Sequence, residues 1–176
     1  TRLLRVPTLD TIADWPVKSA AAAVIAPSGV LAQYGDTSQR FALASVTKPL
    51  AARAAQIAIE EGVVELDTEA GPPGATVRHL LAHASGLQRE PPGEVWETLE
   101  FPGESDLLGR LGEAEQVLEP AAAWHYSNLA YALLGHVVSR VSGTPFRDYV
   151  KGRLLDPLEL GRTSWVPTEP AAKPYF

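Results

Sequence analysis

The sequence has no cysteine. Disulfides and thiolate chemistry are therefore excluded, and a zinc site would have to be built from histidine and carboxylates. It has no excess of positive charge: 15 Lys and Arg stand against 21 Asp and Glu, a net charge of −6. Phosphate recognition needs a basic face, so a nucleic-acid partner is not expected. It has no apolar run of about 18 residues, so no membrane span is expected. The opening TRLLRVPTLD is too short, and too soon broken by Pro7 and Asp10, to read as a signal peptide. The sequence as given therefore suggests a cytoplasmic protein, or a periplasmic or secreted one if a leader has been removed. No glycine-rich turn leads from a strand into a helix, so nucleotide binding has no support.

Convincing strands are scarce as well. Residues 20–26, AAAAVIA, and the VLAQYG that follows the turn read as a hairpin turning at Ser28-Gly29. The rest is helical or loop-like. A helix is expected from Ser45 to Glu61, stopped by Gly62, with Pro49 tolerated in its first turn. GVVELDTEAGPPG is a loop. Thr76 is placed to cap a short helix, VRHLLAH. Residues 87–103 read as loop and 104–116 as helix. Leu129–Val141 forms a strong helix ended by Gly143, and Thr144-Pro145 opens another that runs to about Leu155. The tail reads as extended coil. Since a lone hairpin is marginal, the strands call for more sheet than this sequence supplies.

Within FALASVTKPL, Ser45 precedes Lys48 by three residues, so on a helix both share one face. A serine at a helix N-terminus sits where the macrodipole favours a developing alkoxide. A lysine beside it, partly desolvated, can serve as its base. On spacing alone, Ser45 also reads as an N-cap and Lys48 as a solvated first-turn residue. In WHYSNLAYALLG, Tyr126 and Asn128 stand just ahead of the strong helix. A tyrosine beside a lysine can shuttle protons, and an asparagine amide can orient that lysine. Here too the plain alternative is a cap at Ser127 or Asn128 and a packed Tyr126.

The motifs SVTK (45–48), VRHLLAHASGL (77–87), YSN (126–128) and LLDPLELGRTSW (154–165) occur in the order found in one family. Together they resemble the serine β-lactamase and penicillin-binding-protein superfamily, in its branch of class C β-lactamases, D-Ala-D-Ala carboxypeptidases and related esterases. The resemblance spans residues 20–166. It implies an α+β, β-lactamase/transpeptidase-like fold: a helical region with an antiparallel sheet, of which only the first strands are here. Residues 1–176 would form one such domain, incomplete at its C-terminus.

By the same resemblance, Ser45 would be the acylated nucleophile and Lys48 its hydrogen-bonded base. Tyr126 would be a second base, serving deacylation or the leaving group. Asn128 would position Lys48 and the substrate amide, and the Ser45 N–H would form half of an oxyanion hole. The function implied is hydrolysis of an ester, β-lactam or D-amino-acyl amide through an acyl-enzyme. The alternative is an inert or partner-dependent penicillin-binding-type module. A small-molecule or peptidoglycan-like substrate follows, with no metal and no cofactor. A second chain or self-association could complete the sheet.

The family's third motif, Lys-Thr-Gly or His-x-Gly on a strand, is not found. In EPAAAWHYSN, Ala121 stands where relatives commonly have glycine. His79 and His83 have the i, i+4 spacing of metal ligands but lack the glutamate of HExxH, and read as structural histidines satisfying loop backbone. Trp96, Trp124 and Trp165 read as core or cleft lining.

Overall fold

The computed structural model describes residues 6–98, 102–166 and 168–172. The chain divides into two compact units, residues 1–44 with 161–176, and residues 45–160.

In the first unit, Pro7 opens the short helix α1 (Pro7–Asp10), which continues into a 3-10 turn over Thr11–Asp14. This helical start was not expected from the sequence. The hairpin was: β1 (Ala22–Ala26) pairs antiparallel with β2 (Gly29–Tyr34). Gly29 has φ +111° at the turn, a conformation open to glycine. The register shifts between Val24 and Ile25, leaving Leu31 unmatched as a bulge. Among the described residues this is a two-stranded sheet. The tail is tied back through Arg40, whose guanidinium donates to the carbonyls of Arg162 at 3.1 Å and Glu169 at 2.8 Å.

The second unit is built on two helices, α2 (Thr47–Glu60) and α6 (Asn128–Ser142). A 3-10 turn over Ala44–Val46 precedes α2 and carries Ser45, and Pro49 lies in the first turn of α2 as expected. The buried face of α2 is Ala51, Ala54, Ala55 and Ala58, a 3-4 repeat of small side chains. These methyl-sized residues let α6 approach closely. α6 answers with Leu129, Ala130, Leu133, Leu134 and Val138, all buried. Val77 and Leu80 of α3 (Val77–Leu81) complete the cluster, together with Tyr149 and Val150 of α7 (Phe146–Val150). α7 runs on into a π-helical turn, Lys151–Leu155, that buries Leu154 and Leu155. The segment read as loop over 87–103 contains a short helix, α4 (Val95–Thr98). The helix expected over 104–116 is shorter: α5 (Glu104–Gly109), then a 3-10 turn over Leu111–Glu113. The intervening Arg110 leaves the helical region, while its side chain pairs with Glu113 at 2.8 Å.

Gly86 marks a close backbone crossing. Its φ is +76°, and its carbonyl accepts from the N–H groups of Val117 and Leu118 at 2.8 and 3.3 Å. A Cβ there would lie 1.8 Å from the Leu118 carbonyl oxygen. Gly86→Ala is therefore expected to destabilise the protein by about 3 kcal/mol or more, combining backbone strain with a clash that cannot relax cheaply. Urea unfolding of the variant beside the parent measures it.

Candidate active site

Residues 83–89, following α3, and residues 125–128, entering α6, are stitched together by four hydrogen bonds. His125 N–H donates to the His83 carbonyl at 2.7 Å, and Ser127 N–H to His83 Nδ1 at 3.1 Å. Ser127 Oγ donates to the Gln88 carbonyl at 2.7 Å, and Asn128 N–H to the Arg89 carbonyl at 2.6 Å. Ser127 is also the N-cap of α6: its hydroxyl accepts the Ala130 N–H at 2.9 Å. Its side chain is fully buried with both roles filled, so the desolvated hydroxyl costs little. These bonds fix the backbone of the turn, and the Tyr126 and Asn128 side chains face the start of α2.

There they meet the two residues of the SVTK motif. Tyr126 OH donates to Ser45 Oγ at 2.8 Å. Lys48 Nζ donates to Asn128 Oδ1 at 2.5 Å. All four predicted site residues thus come together, although about 80 residues separate the pairs. Ser45 is exposed, and Lys48, Tyr126 and Asn128 are half-buried. The pairing differs from the expectation in one respect. The hydroxyl on Ser45 is that of Tyr126, while Lys48 bonds Asn128 and lies over the Tyr126 ring, 4.7 Å from its centroid.

The electrostatics of Tyr126 are a balance. Burial acts to raise the phenol's pKa. Hydrogen bonds with Lys48 and Ser45, and the charges of Lys48 and Arg89, act the other way and win, so the phenol is held below its ordinary value. Arg89 lies 5.0 Å above the same ring. Tyr131, 5.8 Å below Lys48 Nζ, is raised instead, by burial and by the neighbouring Tyr126. It donates its proton to the Leu81 carbonyl at 3.1 Å.

Two site residues escaped the sequence reading. Asn128 Nδ2 donates to the Glu90 carboxylate, whose two oxygens lie at 2.9 and 2.8 Å. A carboxylate only accepts and an ammonium only donates, so Glu90 on one side and Lys48 on the other leave Asn128 a single amide orientation. Nothing in the sequence marks Glu90, which follows the SGL segment inside a stretch read as loop. His83 is the other; it was read as structural. Its ring stacks on Tyr126 with centroids 4.6 Å apart and planes at 30°. His79 does serve loop backbone, accepting the Thr76 N–H at 3.1 Å. Among the described residues, no group of three or more His, Asp or Glu is arranged to hold a metal ion.

Of the two readings of the tryptophans, core or cleft lining, the structure removes the first. Trp96, Trp124 and Trp165 are 53%, 69% and 50% exposed. Trp124 flanks the site, edge-on to His83 at 6.1 Å. Ala121 has φ +64°, the left-handed conformation that glycine adopts freely, and its N–H donates to the Ala84 carbonyl at 2.8 Å. Ala121→Gly is expected to stabilise the protein by about 0.5–1 kcal/mol by removing Cβ strain. Thermal unfolding checks it, and a lower midpoint would mean that the alanine sits there without strain.

Among the described residues no strand beyond β1 and β2 is present, so nothing corresponds to the third motif. No helix among them is long and apolar enough to cross a membrane.

A profile of the family described as Beta-lactamase matches residues 15–175. Esterase EstB of Burkholderia gladioli is 33% identical over 162 residues, which cover 77% of this chain and 41% of the esterase. The D-alanyl-D-alanine-carboxypeptidase/endopeptidase AmpH of Escherichia coli (strain K12) is 28% identical over 146 residues, covering 72% of this chain and 37% of that protein. The crystal structure of a beta-lactamase from Mycobacterium bovis matches with a TM-score of 0.70 at 48% identity, covering 87% of this chain and 48% of the other. The chain spans less than half the length of each of these relatives. With a profile match over most of its length and this architecture, the chain belongs to the Beta-lactamase family and has a β-lactamase/transpeptidase-like fold.

Proposed function

We propose that the chain carries the nucleophile half of a serine hydrolase that works through an acyl-enzyme on Ser45, cleaving an ester, a β-lactam or a D-amino-acyl amide. The observation that carries this reading is the 2.8 Å bond between Tyr126 OH and Ser45 Oγ, next to a lysine that favours the phenolate. In the first step Ser45 Oγ attacks the substrate carbonyl carbon, and its proton passes to the Tyr126 oxygen. Collapse of the tetrahedral adduct expels the leaving group, which takes that proton from Tyr126. Water then attacks the ester on Ser45, and Tyr126 again takes the proton, which returns to Ser45 as the acid is released. Lys48 keeps Tyr126 competent to accept a proton, and Asn128 holds Lys48 in place. Relatives named for an ester, for D-alanyl-D-alanine and for a β-lactam agree with this substrate range.

The test is intact-mass spectrometry of the protein after incubation with a penicillin, and separately with a p-nitrophenyl ester. A covalent adduct that maps to Ser45 with either compound supports the reading. Adduct formation with the ester alone narrows the substrate to esters. An unmodified mass with both, or an adduct elsewhere, overturns it.

A further inference from the structure

His83 ends α3 in an unusual way. The Ala84 N–H reaches back to the His79 carbonyl at 2.8 Å, and the His83 N–H to the Leu80 carbonyl at 3.3 Å. This crossed pair is a Schellman motif, and the residue after its C-cap takes left-handed φ and is most often glycine. Here that residue is His83, with φ +54°. A side chain at such φ costs roughly 1–2 kcal/mol. That cost is borne at the edge of the candidate site, where strain in a native fold tends to accompany function.

The side chain shows what is gained. His83 grips the segment leading to α6 at two alternate residues, through its carbonyl to the His125 N–H and through Nδ1 to the Ser127 N–H. Between those two anchors stands Tyr126, and the imidazole face lies against the phenol ring. A backbone N–H can only donate, so Nδ1 carries the lone pair. Burial, and then the charge of Lys48, lower the His83 pKa and keep the ring neutral. A neutral ring stacks on Tyr126 without adding a second cation beside Lys48. Tyr131 closes the other approach to the imidazole, at 4.8 Å.

We infer that His83 is a positioning residue for Tyr126: by clamping the backbone on both sides of it and stacking on its ring, it holds the phenol hydroxyl on Ser45 and beneath Lys48. This inference rests on the reading of Tyr126 as the proton acceptor. Glycine at 83 would satisfy the backbone better than histidine does, and asparagine would accept the left-handed φ and still offer an oxygen to the Ser127 N–H. Neither offers an aromatic face.

The experiment is a tyrosinate absorbance titration of the whole chain, taken as the difference from Tyr126→Phe, for the parent, His83→Asn and His83→Gly. Alongside it run thermal unfolding and the pH dependence of Ser45 acylation. The charged and titratable groups around the phenol, Lys48, Arg89 and Tyr131, are unchanged in each variant. The parent should show one tyrosine titrating below the ordinary value of about 10. In both variants that midpoint should move upward while the fold is kept, and acylation should slow about tenfold or more, part of the roughly 10²–10⁴-fold that a well-placed acid–base group contributes. An unmoved Tyr126 midpoint in the folded variants overturns the inference and leaves His83 as a helix end only. Loss of folding in both variants overturns it too, because His83 would then be a structural requirement. The titration needs no turnover, so a protein that takes no adduct on Ser45 defeats the hydrolase reading, while the Tyr126 midpoint still reports separately whether His83 positions the phenol.

Discussion

Ser45→Ala should reduce acylation and hydrolysis to background, a loss of about 10⁴-fold or more, while the protein stays folded. Removing a nucleophile is among the largest single effects known in enzymes that act through a covalent intermediate. Stability should change little. Ser45 is exposed, and its hydroxyl is held by Tyr126 at the surface of the unit rather than in its core. Losing one such hydrogen bond costs about 1 kcal/mol. The variant has a second readout. The Ser45 bond is one of the contacts that lower the Tyr126 phenol, so the tyrosinate midpoint should rise when it is removed. Intact-mass spectrometry after incubation with a penicillin or an activated ester, with circular dichroism to confirm folding, measures both claims. Hydrolysis that survives in Ser45→Ala removes Ser45 from the mechanism.

How much of this was legible in the sequence differs from element to element. The hairpin, α2 and α6 were read to within a few residues because their signals are local: alternation around Ser28-Gly29, the alanine repeat of α2, and glycines at 62 and 143 whose left-handed φ of +73° and +66° ends each helix. The meeting of Ser45 and Lys48 with Tyr126 and Asn128 is not local. Spacing could put each pair on one face, but only the ordered set of motifs joined them. The detail of who bonds whom lay beyond reach. Whether Ser45 bonds Lys48 or Tyr126 depends on backbone placement, to which the four hydrogen bonds between residues 83–89 and 125–128 contribute. Glu90 and the stacking of His83 on Tyr126 were invisible for the same reason, since they come from a tertiary crossing; the loop-backbone role read for His83 is met at the Ser127 N–H. Ala121, a residue other than glycine where glycine is usual, suggested a local difference in the loop; its φ of +64° is the conformation that glycine adopts freely.

Lys48→Met should slow Ser45 acylation by about 10²–10⁴-fold and shift its pH dependence. Methionine keeps the length and apolar stem of the side chain, and its sulfur packs well against the Tyr126 and Tyr131 rings that now flank the ammonium. The change therefore isolates charge from packing. With the ammonium gone, Tyr126 loses both a hydrogen bond and the nearest positive charge, and burial, which raises the phenol, is opposed by Ser45 and Arg89 alone. The sign is fixed by this. With the phenolate as the proposed base, acylation should rise with pH through the Tyr126 midpoint. That midpoint lies below about 10 in the parent and moves upward in the variant. At neutral pH the fraction of competent base falls, and the loss should shrink as pH is raised. A plain helix-end cation would behave otherwise, with an unchanged rate and an unshifted profile. Asn128 supplies the control. Its Oδ1 loses the ammonium, but Glu90 still holds Nδ2, so the amide stays oriented and the variant reports on Lys48 rather than on a collapsed site. A loss that stays constant across the pH range would instead assign Lys48 to binding the substrate and not to setting the base.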